Sequence, residues 1–432
     1  MAEARILVLG AGPAGAATAI GLRRLGYPVT VVCDWRRFSA VEGVSQRVLE
    51  GLRHAGLAGG LAEAAIAATR QVRWNGEHLQ LNQEFLLDRQ RFDQALRDDL
   101  LQAGVRLIEG RVREVMREDG HQVRLDDGRL LQADFLVEAR GRQAPLAADR
   151  LRGPEAVSLL NLWQSTPGTP ASAVESLDDG WAWMARLADG RCYWQITLDA
   201  GAAQLPGKAA LPAYCAERRR RSALVAGFFD ERALLPAAVH ARSSTAILAG
   251  ECSGGDWLRV GDAAMAVDPL SGNGIFQSLS SALQAPAVIN TLLREPRREA
   301  LARRFHQERI EQLFLRFARI GRDFYAQEQA RGEHAFWARR RAWPDDRPVH
   351  AEADWQAVRV ERRPVLREGW VDEAEVVVTQ DQPLGIWHLQ GIELAPLVRQ
   401  VQVGGPLDAL LEPLTVQQRA MVRGWLVGQG YR

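Results

Sequence analysis

The fold of this chain is decided by the stretch Arg5-Ile-Leu-Val-Leu-Gly10-Ala-Gly12-Pro-Ala-Gly15. Its first half is an uninterrupted apolar run, which is typical of a buried strand in a parallel sheet. A helical pattern over 16–25 follows and ends at Gly26, and a second strand pattern covers 28–33. A G-x-G-x-x-G motif between a strand and a helix in a βαβ unit predicts a dinucleotide-binding site.

The glycines of this motif have separate physical tasks. Gly10 permits the tight turn, Gly12 lets the backbone approach a pyrophosphate, and Gly15 lets helix and strand pack closely. Pro13 and Ala14 complete the turn, where the N–H groups of the helix N-terminus point at the anion.

An acidic residue at the end of the second strand is expected to bind a ribose hydroxyl. Cys33 occupies the usual position, and Asp34 follows it one residue later. We predict that Asp34 is the ribose ligand. The alternative is that Asp34 caps the turn that follows.

Composition narrows the class of protein. Hydrophobic residues make up 47% and charged residues 25% of the 432 residues, which is typical of a soluble globular protein. The 54 basic residues are balanced by 53 acidic ones, which argues against a nucleic-acid-binding surface. No secretory signal, long apolar run or C-x-x-C pair is visible. We therefore expect a cytoplasmic protein with reduced thiols, no metal site and no membrane association.

Further motifs follow the first unit. A helix pattern begins at Leu86-Leu-Asp-Arg89-Gln-Arg91-Phe-Asp93 and runs to Gln102. An apolar strand over 133–138 ends in Ala139-Arg140-Gly141-Arg142. Downstream, a strand over 256–260 leads to Gly261-Asp262 and to the turn Asp268-Pro269-Leu-Ser-Gly272-Asn273-Gly274-Ile275, before a long helix over 276–293.

Together these motifs resemble those of the class A flavoprotein monooxygenases and the related flavin-dependent halogenases, over about residues 1–340. The resemblance implies FAD as cofactor and an α/β fold. That fold has a Rossmann-type FAD-binding domain of the glutathione-reductase and p-hydroxybenzoate-hydroxylase type, a β-sheet substrate domain and a small α+β C-terminal module.

The resemblance also implies roles for single residues. Asp262 would hydrogen-bond the ribityl and pyrophosphate end of FAD, and the Ala139–Arg142 turn would pass near the adenine. The turn with Pro269, Gly272, Asn273 and Gly274 would face the isoalloxazine ring, with a helix N-terminus at its N1–C2=O region. Arg47 and Arg89 would contact FAD, unless they are solvated salt-bridge partners. The predicted FAD contacts are Gly10, Gly12, Pro13, Ala14, Gly15, Asp34, Arg47, Arg89, Val112, Gly261, Asp262, Pro269, Gly272, Gly274 and Ile275.

The predicted domains follow these motifs and the shifts in composition. The FAD-binding domain covers 1–70, 86–150 and 242–300, and the substrate domain covers 71–85 and 151–241. A helical extension covers 301–345, and 346–432 forms the C-terminal module, which is either winged-helix-like or a lid. The substrate domain contains Trp163, Trp181, Trp183 and Trp194. Tryptophans at strand spacing favour a core position, although such a lining would also suit an aromatic substrate.

The absence of a lysine from one part of the sequence favours hydroxylation over halogenation. One segment resembles the halogenase W-x-W-x-I-P signature but departs from it in the last two residues: Gly180-Trp181-Ala-Trp183-Met-Ala185-Arg186. Halogenases also need a lysine before the Arg-Phe-Asp segment, and residues 16–88 contain none. The single lysine is Lys208, which we expect at the surface. The corresponding strand, 71–75, offers arginine, which cannot deprotonate to a nucleophilic amine.

We therefore predict an FAD-dependent monooxygenase that hydroxylates an electron-rich aromatic ring with O₂, through a flavin C4a-hydroperoxide. No second G-x-G-x-x-G is present, so the electrons would come from transiently bound NAD(P)H or from a separate flavin reductase. No histidine lies in a motif, so the sequence indicates no catalytic base.

A lysine-poor, halogenase-like flavoprotein with an extra C-terminal module is similar to the flavoprotein monooxygenases of tryptophylquinone biogenesis, which mature quinohemoprotein amine dehydrogenase. This resemblance implies that the substrate is a tryptophan in a small cross-linked polypeptide. We expect this polypeptide to dock near the C-terminal module, and the protein to be a monomer. The arginine runs 218–221 and 339–341 are either solvated helix faces or sites that attract an acidic partner. The alternatives are a small-molecule aromatic hydroxylase, a halogenase, a geranylgeranyl-reductase-like oxidoreductase and a flavin-stabilised binding module.

Overall fold

The structure is a computed structural model that describes residues 4–118, 120–145, 149–225 and 238–431. Parts of the predicted FAD-binding and substrate domains, 146–148 and 226–237, lie outside the described residues. The chain divides into two compact units. The first unit is Met1–Pro286 with Leu313–Asp346, and the second unit is Ala287–Gln312 with Arg347–Arg432.

The described residues contain the following strands: β1 Ile6–Leu9, β2 Val29–Cys33, β3 Val41–Val44, β4 Ile66–Trp74, β5 Glu77–Asp88, β6 Arg106–Glu109, β7 Val112–Glu118, β8 Gly120–Leu125, β9 Leu130–Ala133, β10 Phe135–Glu138, β11 Arg150–Arg152, β12 Ala156–Gln164, β13 Ala171–Leu177, β14 Gly180–Arg186, β15 Arg191–Asp199, β16 Ala238–Ser243, β17 Ile247–Ala249, β18 Trp257–Arg259, β19 Met265–Ala266, β20 Arg359–Arg367, β21 Trp370–Val378, β22 His388–Leu389 and β23 Ile392–Glu393.

The helices are α1 Pro13–Arg24, α2 Gln46–Ala55, α3 Ala58–Glu63, α4 Arg89–Gln102, α5 Leu211–Arg220, α6 Gly274–Arg294, α7 Glu299–Gln327, α8 Ala335–Arg341, α9 Leu394–Gln402, α10 Leu407–Leu411 and α11 Val416–Gly428. In the part of the chain that the structure describes, none of them is long and apolar enough to cross a membrane.

A five-stranded parallel sheet, in the order β18-β10-β1-β2-β6, organises the first unit. Every residue of β1 is buried, as its apolar run predicts. One buried cluster joins this sheet to the small antiparallel sheet β7-β8-β9. The βαβ unit and the Rossmann-type architecture predicted from the glycine motif are therefore confirmed.

An eight-stranded sheet, in the order β16-β12-β15-β14-β13-β4-β5-β3, forms the other large layer of the first unit. One buried cluster of this sheet contains Trp163, Trp194 and Cys215 of α5. Another contains Trp181, Tyr325 and the two aromatic residues at the start of α8, with Leu270 packed against it. The second cluster brings this sheet against the predicted flavin-facing turn.

Three predicted boundaries were wrong for local reasons. α1 begins at Pro13 rather than at residue 16, because proline has a backbone suited to the first helical turn. Residues 86–88 end a strand, and α4 begins after Asp88, whose side chain accepts a hydrogen bond from the Gln90 N–H at 3.0 Å. The sequence over 299–340 also predicts one continuous helix, but this helix ends at Gln327, and α8 starts after His334, which caps it.

The second unit contains the hairpin β20–β21, the short strands β22–β23 and the helices α9, α10 and α11. Its core includes Val377, Leu394, Val398, Val422 and Leu426, which come from the hairpin and the helices. The sequence predicts helices near 393–401, 407–411 and 416–428, and these agree with α9, α10 and α11 to within a residue. The winged-helix description of residues 346–432 stays a prediction.

Candidate functional site

The turn between β1 and α1 leaves open space where a phosphate is predicted. Gly10 has φ +109°, and a Cβ there would lie 2.4 Å from the carbonyl oxygen of Ala139. A Cβ at Gly15 would lie 1.9 Å from the carbonyl oxygen of Gly10, whereas a Cβ at Gly12 would meet no described heavy atom within 4 Å. Gly12 is also the N-cap of α1, and no side chain caps that end. The helix N-terminus therefore has the shape and the polarity that suit an anion.

The Gly-Asp motif lies against the start of α1. Gly261 has φ +60°, and a Cβ there would lie 2.7 Å from Cβ of Ala14. The next residue, Asp262, accepts a hydrogen bond from the hydroxyl of Ser278 at 3.3 Å and lies 3.5 Å from Nε of Arg142. Burial raises the pKa of Asp262, although Arg142 partly offsets this effect. Arg142 and Ser278 therefore meet at this carboxyl group, and the start of α1 lies against the glycine before it.

Arg142 belongs to the Ala-x-Gly-Arg turn. Its guanidinium donates hydrogen bonds to the carbonyl oxygens of Thr245 at 2.6 Å and Val267 at 2.8 Å. These bonds hold Arg142 beside Asp262 of the Gly-Asp motif.

The Asp-Pro turn is held by its own carboxylate and by a tyrosine. Asp268 accepts a hydrogen bond from the Leu270 N–H at 2.9 Å, and Gly272 closes the turn with φ +63°. No described heavy atom lies within 4 Å of a Cβ added at Gly272 or Gly274, where α6 begins. Tyr325 donates to Asp268, and burial raises the pKa of both side chains.

A cluster of arginines surrounds a glutamate beside this site. The buried guanidinium of Arg89 donates to Glu42 at 2.6 Å and to Asp93 at 2.8 Å. Burial alone would raise the pKa of Glu42, but the guanidiniums around it, that of Arg89 first, bring it below its usual value. Burial and neighbouring cations lower the pKa of Arg36 and Arg242. Asp262 interacts electrostatically with Glu42 and Arg89, so this cluster borders the Gly-Asp motif.

Sequence reasoning found Arg89 but missed the rest of this cluster, Glu42, Arg36 and Arg242. No motif contains these residues, and they come from β3, the loop after β2, and β16. Their excess of positive charge suits a pyrophosphate.

The remaining predicted FAD contacts lie at four places. Asp34 is exposed after β2, and its carboxylate is 3.7 Å from the guanidinium of Arg37. Arg47 is exposed in the first turn of α2, Val112 is half-buried on β7, and Ile275 is buried in the first turn of α6. Contacts of all these residues with FAD stay predictions.

The tryptophans of the large sheet divide into two groups. Trp163, Trp181 and Trp194 are buried in core clusters, as strand spacing favours. Trp183 is half-buried and packs against the cluster that also contacts Leu270 of the Asp-Pro turn. Its side chain is therefore the one of the four that lies partly open on the sheet.

Basic residues elsewhere occupy positions that bear on function. Lys208 is exposed in the turn before α5, as predicted, and β4 has Arg70 and Arg73.

In the arginine runs 218–221 and 339–341, Arg219 and Arg340 are buried. Arg218 pairs with Asp179, Arg339 and Arg340 pair with Asp199, and Arg220 and Arg221 are exposed. Most arginines of the two runs are therefore buried or form ion pairs within the protein.

Comparisons with known proteins agree with this fold. A family model described as tryptophan halogenase matches residues 45–373. The solved structure of peptidyl tryptophan dihydroxylase QhpG, described as essential for tryptophylquinone cofactor biogenesis, is 76% identical, with a TM-score of 0.91 over 99% of this chain and 100% of its own. Tryptophan 2-halogenase from Chondromyces crocatus is 26% identical over 77% of this chain and 70% of its own. The flavin-dependent halogenase CmlS shares the fold, with 15% identity and a TM-score of 0.79 over 99% of this chain and 94% of its own.

Proposed function

This chain belongs to the tryptophan halogenase family, and from this premise we propose that it is an FAD-dependent enzyme that uses O₂ to hydroxylate a tryptophan within a polypeptide. The likeness to QhpG, at 76% identity over nearly the whole of both chains, carries the proposal. The quinone precursor in a small cross-linked polypeptide is the substrate that fits this likeness.

The position of the single lysine supports hydroxylation over halogenation. A halogenase needs an amine that reacts with hypohalous acid beside its substrate. Lys208 is exposed in a turn before α5, and β4 offers the guanidiniums of Arg70 and Arg73. A guanidinium stays protonated at physiological pH and does not provide such an amine.

The residues present fit FAD. The open space at Gly12, the uncapped start of α1 and the arginines around Glu42 suit its pyrophosphate. Asp262 suits a ribityl hydroxyl, and the open backbone at Gly272 and Gly274 suits a flat ring. Reduced FAD bound here would supply two electrons to activate O₂, with NAD(P)H or a separate flavin reductase as the source of those electrons.

The protein's own groups would bind and orient the reacting groups and exclude water from them. The N-terminus of α6 at Gly274 would stabilise negative charge on the neighbouring ring edge. Leu270 and the aromatic cluster around Trp181 would exclude water from one side. We propose that the polypeptide docks near residues 346–432.

Mass spectrometry tests this proposal. The purified protein, reduced FAD and ¹⁸O₂ are incubated with the cross-linked small subunit of a quinohemoprotein amine dehydrogenase, isolated before quinone formation. We expect one or two ¹⁸O atoms on a tryptophan of that subunit. Chlorine incorporation in the presence of chloride, or turnover without O₂, would contradict the proposal. Oxygenation of free phenols or indole in place of the subunit would instead favour a small-molecule hydroxylase.

A further inference from the structure

Glu84 is a buried carboxylate without an ion pair in the described part of the chain. It lies on β5, is 7% exposed, and has a single hydrogen-bond partner among the described residues, the indole Nε1–H of Trp183 at 3.4 Å. Burying a carboxylate is costly unless cations or several N–H groups compensate for the lost water. Packing alone therefore does not explain why a carboxyl group with a single neutral donor is buried at this position.

The other carboxylates of the described residues that are as little exposed as Glu84 are compensated. Each accepts hydrogen bonds from backbone N–H groups, pairs with an arginine, or does both: Asp88, Asp99, Glu138, Glu175, Asp199 and Glu328. Glu84 differs from all six, because its one donor is a neutral indole N–H at the long end of the hydrogen-bond range.

The location of Glu84 connects the two halves of the site. A Cβ added at Gly43 would lie 2.3 Å from Oε2 of Glu84, so the carboxylate covers the backbone of β3 next to Glu42. On its other side is Trp183, which packs with the cluster that contacts Leu270 of the Asp-Pro turn. Glu84 therefore lies between the arginine cluster around Glu42 and the sheet face beside the predicted flavin-facing turn.

Hydroxylation of an indole needs a proton acceptor. One oxygen atom of O₂ forms a bond to a ring carbon, and the other leaves as water with the two electrons of reduced FAD. The C–H bond at that carbon then breaks, its electron pair restores the aromatic ring, and its proton must pass to a base. Oε1 of Glu84 accepts the indole N–H of Trp183, whereas Oε2 has no hydrogen-bond donor among the described residues and is available to take up a proton.

We propose that Glu84 is the catalytic base that accepts this proton from the substrate ring, an assignment that rests on the proposed function. The substitution Glu84→Gln keeps the size and the acceptor for Trp183 but removes the basic oxygen. We expect formation of the ¹⁸O-labelled polypeptide to fall by about 100- to 10,000-fold, the usual contribution of a general base. FAD content and affinity for the polypeptide stay within about twofold, because neither needs a base.

Three further variants make the test selective. Glu84→Asp keeps a carboxylate and recovers part of the product formation. Glu77→Gln, an exposed glutamate on the same strand, leaves product formation unchanged. Trp183→Phe removes the indole donor but keeps the base, so it loses much less activity than Glu84→Gln. Thermal unfolding adds a readout, because replacement of this sparsely hydrogen-bonded carboxyl group by an amide should leave Glu84→Gln at least as stable as the wild type.

The outcomes separate the assignment from the proposed function. A Glu84→Gln variant that forms labelled product at more than half the wild-type rate overturns the assignment alone. Loss of FAD or of stability in that variant, or an equal loss in Trp183→Phe, shows a structural role and also overturns it. A wild-type protein that adds no oxygen to the polypeptide overturns the proposed function, and the assignment with it.

Discussion

The hydroxyl group of Tyr325 donates a hydrogen bond to Oδ1 of Asp268 at 3.0 Å. The same hydroxyl accepts a hydrogen bond from Nε1 of Trp181 at 3.1 Å. Asp268 in turn caps the backbone N–H of Leu270, so one phenol ties the long helix α7 and the strand β14 to the turn that faces the predicted flavin. The geometry of that turn therefore depends on a residue 57 positions away.

Tyr325→Phe should lower stability. The ring would still pack edge-on against Phe336 and Trp337, but the N–H of Trp181, which is 2% exposed, would lose its acceptor. An unsatisfied buried donor costs about 1–3 kcal/mol, and we expect a loss of this size in the free energy of unfolding, measured in urea. Phe324→Leu is the control, since its side chain is 40% exposed and should have little effect. Equal stability of Tyr325→Phe and the wild type would contradict this account.

The glycine motif predicts two different failures. Gly12→Val should abolish retention of FAD while the apoprotein stays folded, because the added side chain enters open space at the anion site. Gly15→Ala should destabilise the apoprotein, because its Cβ would overlap the carbonyl oxygen of Gly10 at 1.9 Å. Absorbance of bound flavin and circular dichroism of the apoproteins measure the two effects.

A matched control uses a glycine of the same unit that has no such task. Gly207 is exposed with φ −57°, and no described heavy atom lies within 4 Å of an added Cβ. Gly207→Ala should bind FAD as the wild type does. A yellow, FAD-loaded Gly12→Val protein would refute the phosphate site.

Arg89 lies between two carboxylates, and its removal should expose their mutual repulsion. Arg89→Met leaves Glu42 and Asp93 without their shared cation, and the loss of one partner of a buried ion pair costs about 3–5 kcal/mol. The double variant Arg89→Met/Glu42→Gln should recover part of this cost, measured as a coupling energy in urea unfolding. If the two substitutions add without coupling, the ion pair does not stabilise the fold.

The same double variant also tests the predicted contact of Arg89 with FAD. If Arg89 acts only through Glu42 and Asp93, a double variant with recovered stability should also recover FAD affinity. If Arg89 contacts the cofactor, the affinity for FAD stays low although stability recovers. Equilibrium titration of the apoprotein with FAD distinguishes the two results.

The sequence predicts those parts of the site that depend on local backbone chemistry. Gly10, Gly12 and Gly15 are required by a turn and by close packing within six residues, so their spacing alone is informative. Contacts between side chains of distant segments leave no such pattern in the sequence. Glu84 and Trp183 are 99 residues apart, and Tyr325 has no spacing relation to Asp268. A tyrosine at the end of a long amphipathic helix has the same local sequence whether it binds a carboxylate or packs in a core.

Asp262→Asn should change how the stability of the apoprotein depends on pH. Burial raises the pKa of Asp262, so in the folded protein its carboxyl group holds a proton up to a higher pH than in the unfolded chain, where the pKa is about 3.9. Between these two values the native state binds more protons than the unfolded state, and the free energy of unfolding falls as pH rises. The wild-type apoprotein should therefore lose stability relative to Asp262→Asn as the pH is raised from about 4 through this window.

The comparison isolates this one carboxyl group. Burial raises the pKa of Asp268 in the same direction, but Asp268 is present in both proteins and cancels in the difference between their urea unfolding curves. Parallel curves over the whole window would show that Arg142 and Ser278 compensate fully for the burial of Asp262. A second measurement on the same proteins, FAD affinity, should be lower in the Asn variant, because an ionised carboxylate accepts hydrogen bonds from hydroxyl groups more strongly than an amide oxygen does.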